Sequence, residues 1–258
     1  MVDPNLPCEL CGFCRRGQPH LCEDMTTLGI FRDGGLARYN VVPQRALHKL
    51  PEALAPTSAV LIEPLACVVH GIDQLYPHSG ETAVILGAGP IGLMFTQLLH
   101  AAGVRRVIVS EPGPFRRERA LENGAYCAVD PTADDLREIV RNLTDGRGAD
   151  MVVDAVGSAM EAGMRAVRPG GRCLVFGQNQ TYRAEIAPYA ISRHEIEILG
   201  SFIAPFCFPR TIDLIDQGLV EPERLISHRL SMPEIHQGIE LLRQGDALKV
   251  VIDVAASS

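Results

Sequence analysis

From Thr82 onward the chain alternates between two hydrophobic patterns. Short apolar runs occur at Thr82–Leu86, Arg106–Ser110, Cys127–Asp130, Met151–Val156, Arg172–Phe176 and Ile196–Leu199. Bounded by turn residues, they read as strands. Between them apolar positions recur at helical spacing: from the glycine turn after Leu86 through Ala102, and over Phe115–Asn123, Asp134–Asn142 and Ala159–Val167. Strand–helix alternation predicts a parallel sheet with helices on both faces. In such a sheet ligands meet the carboxyl ends of the strands, here near Gly87, Glu111, Val156-Gly157 and Phe176-Gly177.

The first strand runs into Gly87-Ala88-Gly89-Pro90-Ile91-Gly92. Strand, glycine turn and helix in that order make G-x-G-x-x-G a dinucleotide signal. Gly87 permits the tight turn, Gly89 lets backbone approach a pyrophosphate, and Gly92 lets helix and strand close. The helix start offers amide donors and a positive dipole end to the phosphates. The second strand ends at Glu111, 19 positions beyond Gly92. A carboxylate near that spacing accepts hydrogen bonds from a ribose hydroxyl and repels a 2′-phosphate, which favours NAD over NADP. Arg116 and Arg117 pull the other way, since an arginine there can hold a 2′-phosphate. The bland alternative is that Glu111 only terminates a strand.

Four of eight cysteines crowd the amino-terminal region: Cys8, Cys11, Cys14 and Cys22, spaced C-x2-C-x2-C-x7-C. Two-residue gaps let thiolates converge on one ion, and the longer loop returns a fourth. Four sulfurs with no open position describe a closed, structural zinc site. A disulfide pair and an iron–sulfur cluster are the rivals. The ferredoxin motif, however, continues with a three-residue gap and Cys-Pro, whereas Glu23 follows Cys22 here. His20 competes with Cys22 as a ligand but reads more simply as a loop histidine. Cys127 and Cys173, in apolar runs, read as small buried hydrophobes.

Composition narrows the function class. The 258 residues are 47% hydrophobic and 21% charged, as in a protein that buries a core. A net charge of −7 argues against a nucleic-acid partner. No segment is apolar and long enough for a membrane partner. Met1–Asn5 lacks the basic, apolar start of a secretory signal. Reduced cysteines then fit a cytoplasmic setting.

In order along the chain, these landmarks resemble the zinc-containing medium-chain dehydrogenases, in their sorbitol, butanediol and threonine dehydrogenase branch. The resemblance rests on Asp3-Pro4-Asn5 and the cysteine lobe, Asp33–Tyr39, Ile62-Glu63-Pro64-Leu65-Ala66, the glycine turn, Gly146–Asp150, Pro169-Gly170-Gly171, Glu195–Ser201 and Lys249–Ile252. It implies an α/β chain: a Rossmann-type doubly wound sheet, plus a partial GroES-like β-barrel catalytic domain with the zinc lobe. The expected boundaries are 1–63 (partial catalytic domain), 64–201 (dinucleotide-binding domain) and 202–258 (return to the catalytic domain).

By position, the resemblance makes Cys8, Cys11, Cys14 and Cys22 the lobe ligands. It gives the pyrophosphate turn to Gly87, Gly89, Pro90, Ile91 and Gly92, the ribose to Glu111, and a neighbouring cofactor contact to Arg116. Val156, Phe176, Gly177, Gln178, Ser201, Phe202 and Ile203 line the rest of the cofactor. Glu63 matches an acid beside the catalytic zinc. The implied activity is zinc-dependent, NAD-linked oxidation of a secondary alcohol or polyol to a ketone, in a homodimer or homotetramer.

The family's catalytic zinc takes a cysteine and a Gly-His-Glu segment upstream of the lobe, and neither is found in this sequence. The expectation is an N-terminally truncated chain, with a catalytic zinc only if the missing segment is supplied. The barrel remnant should then expose strand edges and apolar surface. The alternative is a zinc-stabilised NAD-binding fragment or paralogue without dehydrogenase activity. The positions of a substrate-binding arginine–tyrosine pair in sorbitol-specific members are Ile203 and Ala204 here, which leaves the substrate class broad.

Overall fold

The computed structural model describes residues 1–254. Two compact units emerge, one of Val68–Phe202 and the other of Met1–Cys67 together with the chain from Ile203 on. No helix among the described residues is long and apolar enough to cross a membrane.

The strands in chain order are β1 (Asn5–Leu6), β2 (Thr26–Thr27), β3 (Thr82–Leu86), β4 (Arg106–Ser110), β5 (Cys127–Val129), β6 (Ala149–Asp154), β7 (Val167–Val175), β8 (Glu197–Gly200), β9 (Ile226–Ser231) and β10 (Lys249–Asp253). In the Val68–Phe202 unit, six of them form one sheet in the order β5-β4-β3-β6-β7-β8. Every neighbouring pair is parallel. Strand order reverses between β3 and β6, the position where doubly wound sheets open a crevice.

Burial on both faces explains why the strands read as continuous apolar runs. All five residues of β3 are buried. Side chains alternate between faces: Val84, Leu86, Ile108, Val152 and Cys173 pack with Leu136, Val140 and Met160 in one apolar layer. Cys173 is fully buried and burial pushes its thiol up to about 12, so it behaves as a small hydrophobe. Cys127 is half-buried at the margin of the same layer.

Strand ends differ from the sequence pattern by a few residues, with local causes. β6 ends at Asp154 rather than Val156, because the Asp154 side chain caps the loop that follows. β7 begins at Val167 rather than Arg172, because Val167 pairs with Ala149. The helix expected from Asp134 starts at Leu136, where Asp135 is the N-cap and accepts from Glu138 N at 3.2 Å.

The other unit has little regular sheet. β1 pairs with β2, and β9 runs parallel to β10. A helix over Ile235–Gln244 connects β9 to β10, preceded by a Ser231–Glu234 capping box. Ile30, Phe31, Leu36, Tyr39 and Val41 are exposed. Short ladders and exposed apolar side chains are what an incomplete barrel presents.

Candidate cofactor edge and zinc lobe

The carboxyl ends of the sheet converge on one rim. Gly87 sits at φ +99°, and a Cβ there would lie 2.5 Å from Val156 Cγ1. A Cβ on Gly92 would lie 1.9 Å from the Gly87 carbonyl oxygen, so only glycine lets the helix over Pro90–Ala101 start this close to β3. On Gly89 a Cβ would meet nothing within 4 Å. Packing therefore does not require glycine at position 89. A side chain there would fill the cradle at the helix N-terminus, where a pyrophosphate would lie.

Glu111 follows β4 and is only 6% exposed. Its Oε2 accepts from Ala88 N at 2.8 Å, inside the glycine turn, and its Oε1 from Gly113 N at 2.9 Å. Two backbone donors thus hold a negative charge at the turn. Arg117 is tied up locally: it donates to the carbonyls of Glu111 and Pro112 at 2.9 and 2.6 Å and pairs with Asp130 at 3.0 Å. Arg116 lies against the Gly113 turn, its Cδ 3.9 Å from where a glycine Cβ would stand. It makes no ion pair among the described residues.

Further along the rim, Asp154 is almost fully buried at the end of β6. Its Oδ1 accepts from Val156 N at 3.1 Å and Gly157 N at 2.8 Å, and its Oδ2 from Ala159 N at 3.0 Å. Its carbonyl takes Phe176 N and Gly177 N. A Cβ on Gly177 would lie 2.2 Å from Gly157 N, so the loops after β6 and β7 touch backbone to backbone. Phe176 packs edge-on against Phe95, centroids 5.0 Å apart. Ser201 N donates to Val175 O at 3.3 Å, while Ser201 Oγ is buried with no partner among the described residues. An orphaned hydroxyl beside the β7 end suits a polar ligand. Gly87, Gly92, Glu111, Val156 and Gly177 are thus brought onto one edge. Gln178 and Phe202 are exposed, and Ile203 belongs to the other unit, with φ +45°. Asp154 was hidden in the sequence. Its only signal was an acid closing the apolar run Met151–Val153 just before Gly157.

In the other unit, the Sγ atoms of Cys8, Cys11, Cys14 and Cys22 all lie within 4.8 Å of one another. None is in a disulfide. Backbone amides face the sulfurs: Cys8 N donates to Cys22 Sγ at 3.2 Å, and Leu10 N and Cys11 N to Cys8 Sγ at 3.4 and 3.3 Å. Backbone hydrogen bonds at Cys14 and Glu23 bring Cys11 down to about 6, while burial and its sulfur neighbours push Cys14 up to about 12. Sulfurs this close resist ionising together unless a cation joins them. A divalent ion held by four thiolates at about 2.3 Å resolves that conflict, so the lobe fits a structural zinc.

Glu63 lies half-buried in the first turn of the helix over Ile62–Leu75. Cys67, one turn on, donates to its Oε1 at 3.5 Å. Burial raises the Glu63 pKa; Cys67 and the Lys249 charge oppose that, and Asp3 adds to it. A cavity of about 380 Å³ in the same unit has Asp3, His48, Ile203 and Ala204 among its walls. Glu63 does not line it.

Comparison with known proteins finds relatives along almost the whole chain. The zinc-binding dehydrogenase family matches residues 90–217, and the alcohol dehydrogenase GroES-like domain matches residues 1–52. The chain is 32% identical to D-arabinitol dehydrogenase 1 of Uromyces fabae, over 98% of this chain and 74% of that one. It is 33% identical to L-threonine 3-dehydrogenase of Pyrococcus horikoshii, over 97% and 73%. Among solved structures, a zinc-binding dehydrogenase from Sinorhizobium meliloti bound to NADP is similar at TM-score 0.92 and 36% identity, covering 98% of this chain and 75% of that one. An alcohol dehydrogenase from Escherichia coli in complex with NADH is similar at TM-score 0.91 and 31% identity, covering 96% and 74%.

Proposed function

Because the chain belongs to the zinc-binding medium-chain dehydrogenase family, we propose that it is an NAD-linked oxidoreductase for a secondary alcohol or polyol. The observation that carries this reading is Glu111, a buried carboxylate pinned by Ala88 N and Gly113 N beside the glycine turn. It accepts hydrogen bonds from the adenosine ribose and opposes a 2′-phosphate. Arg116 covers the same end of the cofactor, while Arg117 is held by Asp130. Gly87, Gly89 and Gly92 admit the pyrophosphate. Val156, Phe176, Gly177 and Ser201 hold the nicotinamide half, with Gln178, Phe202 and Ile203 as further contacts. NAD held there would supply the hydride acceptor for oxidation of a carbinol to a ketone, the hydroxyl proton passing to water.

The four lobe cysteines hold zinc structurally. A catalytic zinc does not fit the residues present: its cysteine and Gly-His-Glu ligands are not in this sequence, and the Glu63 carboxylate is engaged by Cys67. Arabinitol and threonine, named for two of the relatives, are the substrates to try first. Assembly into two or four copies and a cytoplasmic setting belong to the same proposal.

The test is NADH formation from NAD with a panel of polyols and secondary alcohols. Alcohol-dependent reduction of NAD supports the proposal, and a strict requirement for NADP sinks the Glu111 argument. The Glu63–Cys67 contact favours a second reading, an NAD-binding protein with lobe zinc and no turnover. Elemental analysis showing one zinc per chain, with NADH binding and no alcohol oxidation, selects that reading. Turnover excludes it.

A further inference from the structure

A cleft of about 270 Å³ lies at the opposite end of the sheet, where the chain enters β3, β4 and β6. The strands are parallel, so this amino end is separate from the glycine turn at their carboxyl ends. Its charged walls are Arg105, Arg106, Arg147 and Arg168 against Glu81 and Asp150. In a chain of net charge −7, that is a local cationic excess.

Both acids are already committed. Glu81 is paired with the buried Arg172 and accepts from His78 N at 2.7 Å. Asp150 pairs with Arg168 at 2.7 Å and accepts from Thr82 N at 2.7 Å. Arg147 leans outward to Asp145 at 3.4 Å. That leaves Arg105 and Arg106 without an acidic partner among the described residues. The Arg106 guanidinium lies over the Tyr126 ring, 5.6 Å from its centroid, a contact that leaves its charge unneutralised. Its Nε is buried with no acceptor among the described residues.

We propose that this cleft binds a small oxyanion of phosphate or pyrophosphate size, held by Arg105 and Arg106. Guanidinium forks match tetrahedral oxyanions in charge and geometry. The volume falls below the roughly 300–1,000 Å³ typical of drug-sized ligands. It therefore suits pyrophosphate better than a nucleotide.

The test is calorimetric titration of the whole chain with inorganic pyrophosphate and with inorganic phosphate, at ionic strength fixed with sodium chloride. Saturable binding by either anion, unaffected by saturating NADH and weakened about tenfold in both R105Q and R106Q, is the expected result. Arg105 is exposed, so R105Q keeps the test meaningful if R106Q, which loses its stack on Tyr126, folds poorly. Absence of saturable binding, competition with NADH, or unchanged affinity in R105Q overturns the proposal.

Discussion

Asp154 holds more backbone donors at the rim of the sheet than any residue the sequence singles out. Replacing it with asparagine keeps the shape and one acceptor oxygen. That oxygen can still serve Val156 N and Gly157 N, now without charge. The new amide NH2 must then face Ala159 N, donor against donor, where a 3.0 Å bond stood. One charge-assisted bond is lost and two are weakened, which amounts to about 2 kcal/mol. Asp154→Ala strands all three donors. Gly157 N is buried, so its loss counts fully, while the part-buried Val156 N and Ala159 N lose less. The total is about 4–5 kcal/mol, close to the whole stability of a marginal domain. Calorimetry should show D154N melting about 5 °C below wild type and D154A failing to fold cooperatively. NADH affinity of D154N should fall about tenfold, because the loop bearing Val156 and Gly157 loses its anchor. If D154N melts and binds like wild type, the claim that this carboxylate sets the rim is wrong.

Four other outcomes follow from the same geometry. Gly92→Ala drives a Cβ against the Gly87 carbonyl and should cost about 1–3 kcal/mol, with NADH binding lost even where circular dichroism shows a folded protein. A strong zinc chelator removes binding free energy of about 10–16 kcal/mol from the lobe, so limited proteolysis should cut between Cys8 and Cys22 while the Val68–Phe202 unit stays protected. Glu63→Gln should raise thermal stability near about pH 7. Burial lifts the Glu63 pKa above its ordinary 4.5, so its ionisation costs stability as pH rises from there through the folded pKa. The advantage of the variant should therefore vanish on acidification below that ordinary value, and a constant offset across pH would contradict the burial argument. Glu111→Gln, by removing the charge that repels a 2′-phosphate, should narrow the preference for NADH over NADPH in parallel titrations.

The parallel sheet was legible because strands covered on both faces are apolar through their middles, as Ala83–Leu86 of β3 and Val107–Val109 of β4 are. The tight turn after β3 was legible because Gly87 and Gly92 leave no room for a Cβ. The cysteine lobe was legible from spacing, since metal geometry constrains it. The roles of Asp154 and Arg117 were not. Each works through backbone partners that an apolar pattern does not mark, and Arg117 in particular reads from sequence as a rival phosphate ligand until its pairing with Asp130 is seen. The region around Ile30–Val41 gave no strand pattern, and its apolar side chains are exposed rather than packed. For Glu63 the sequence showed an acid in a familiar string but not that Cys67 engages it.

The central claim is that the rim built around Glu111 is an NAD site. Fluorescence titration of the purified chain with NADH and NADPH, under identical salt, tests it most directly. Saturable NADH binding at least about tenfold tighter than NADPH is the predicted result. No NADH binding, or a preference for NADPH, would contradict it.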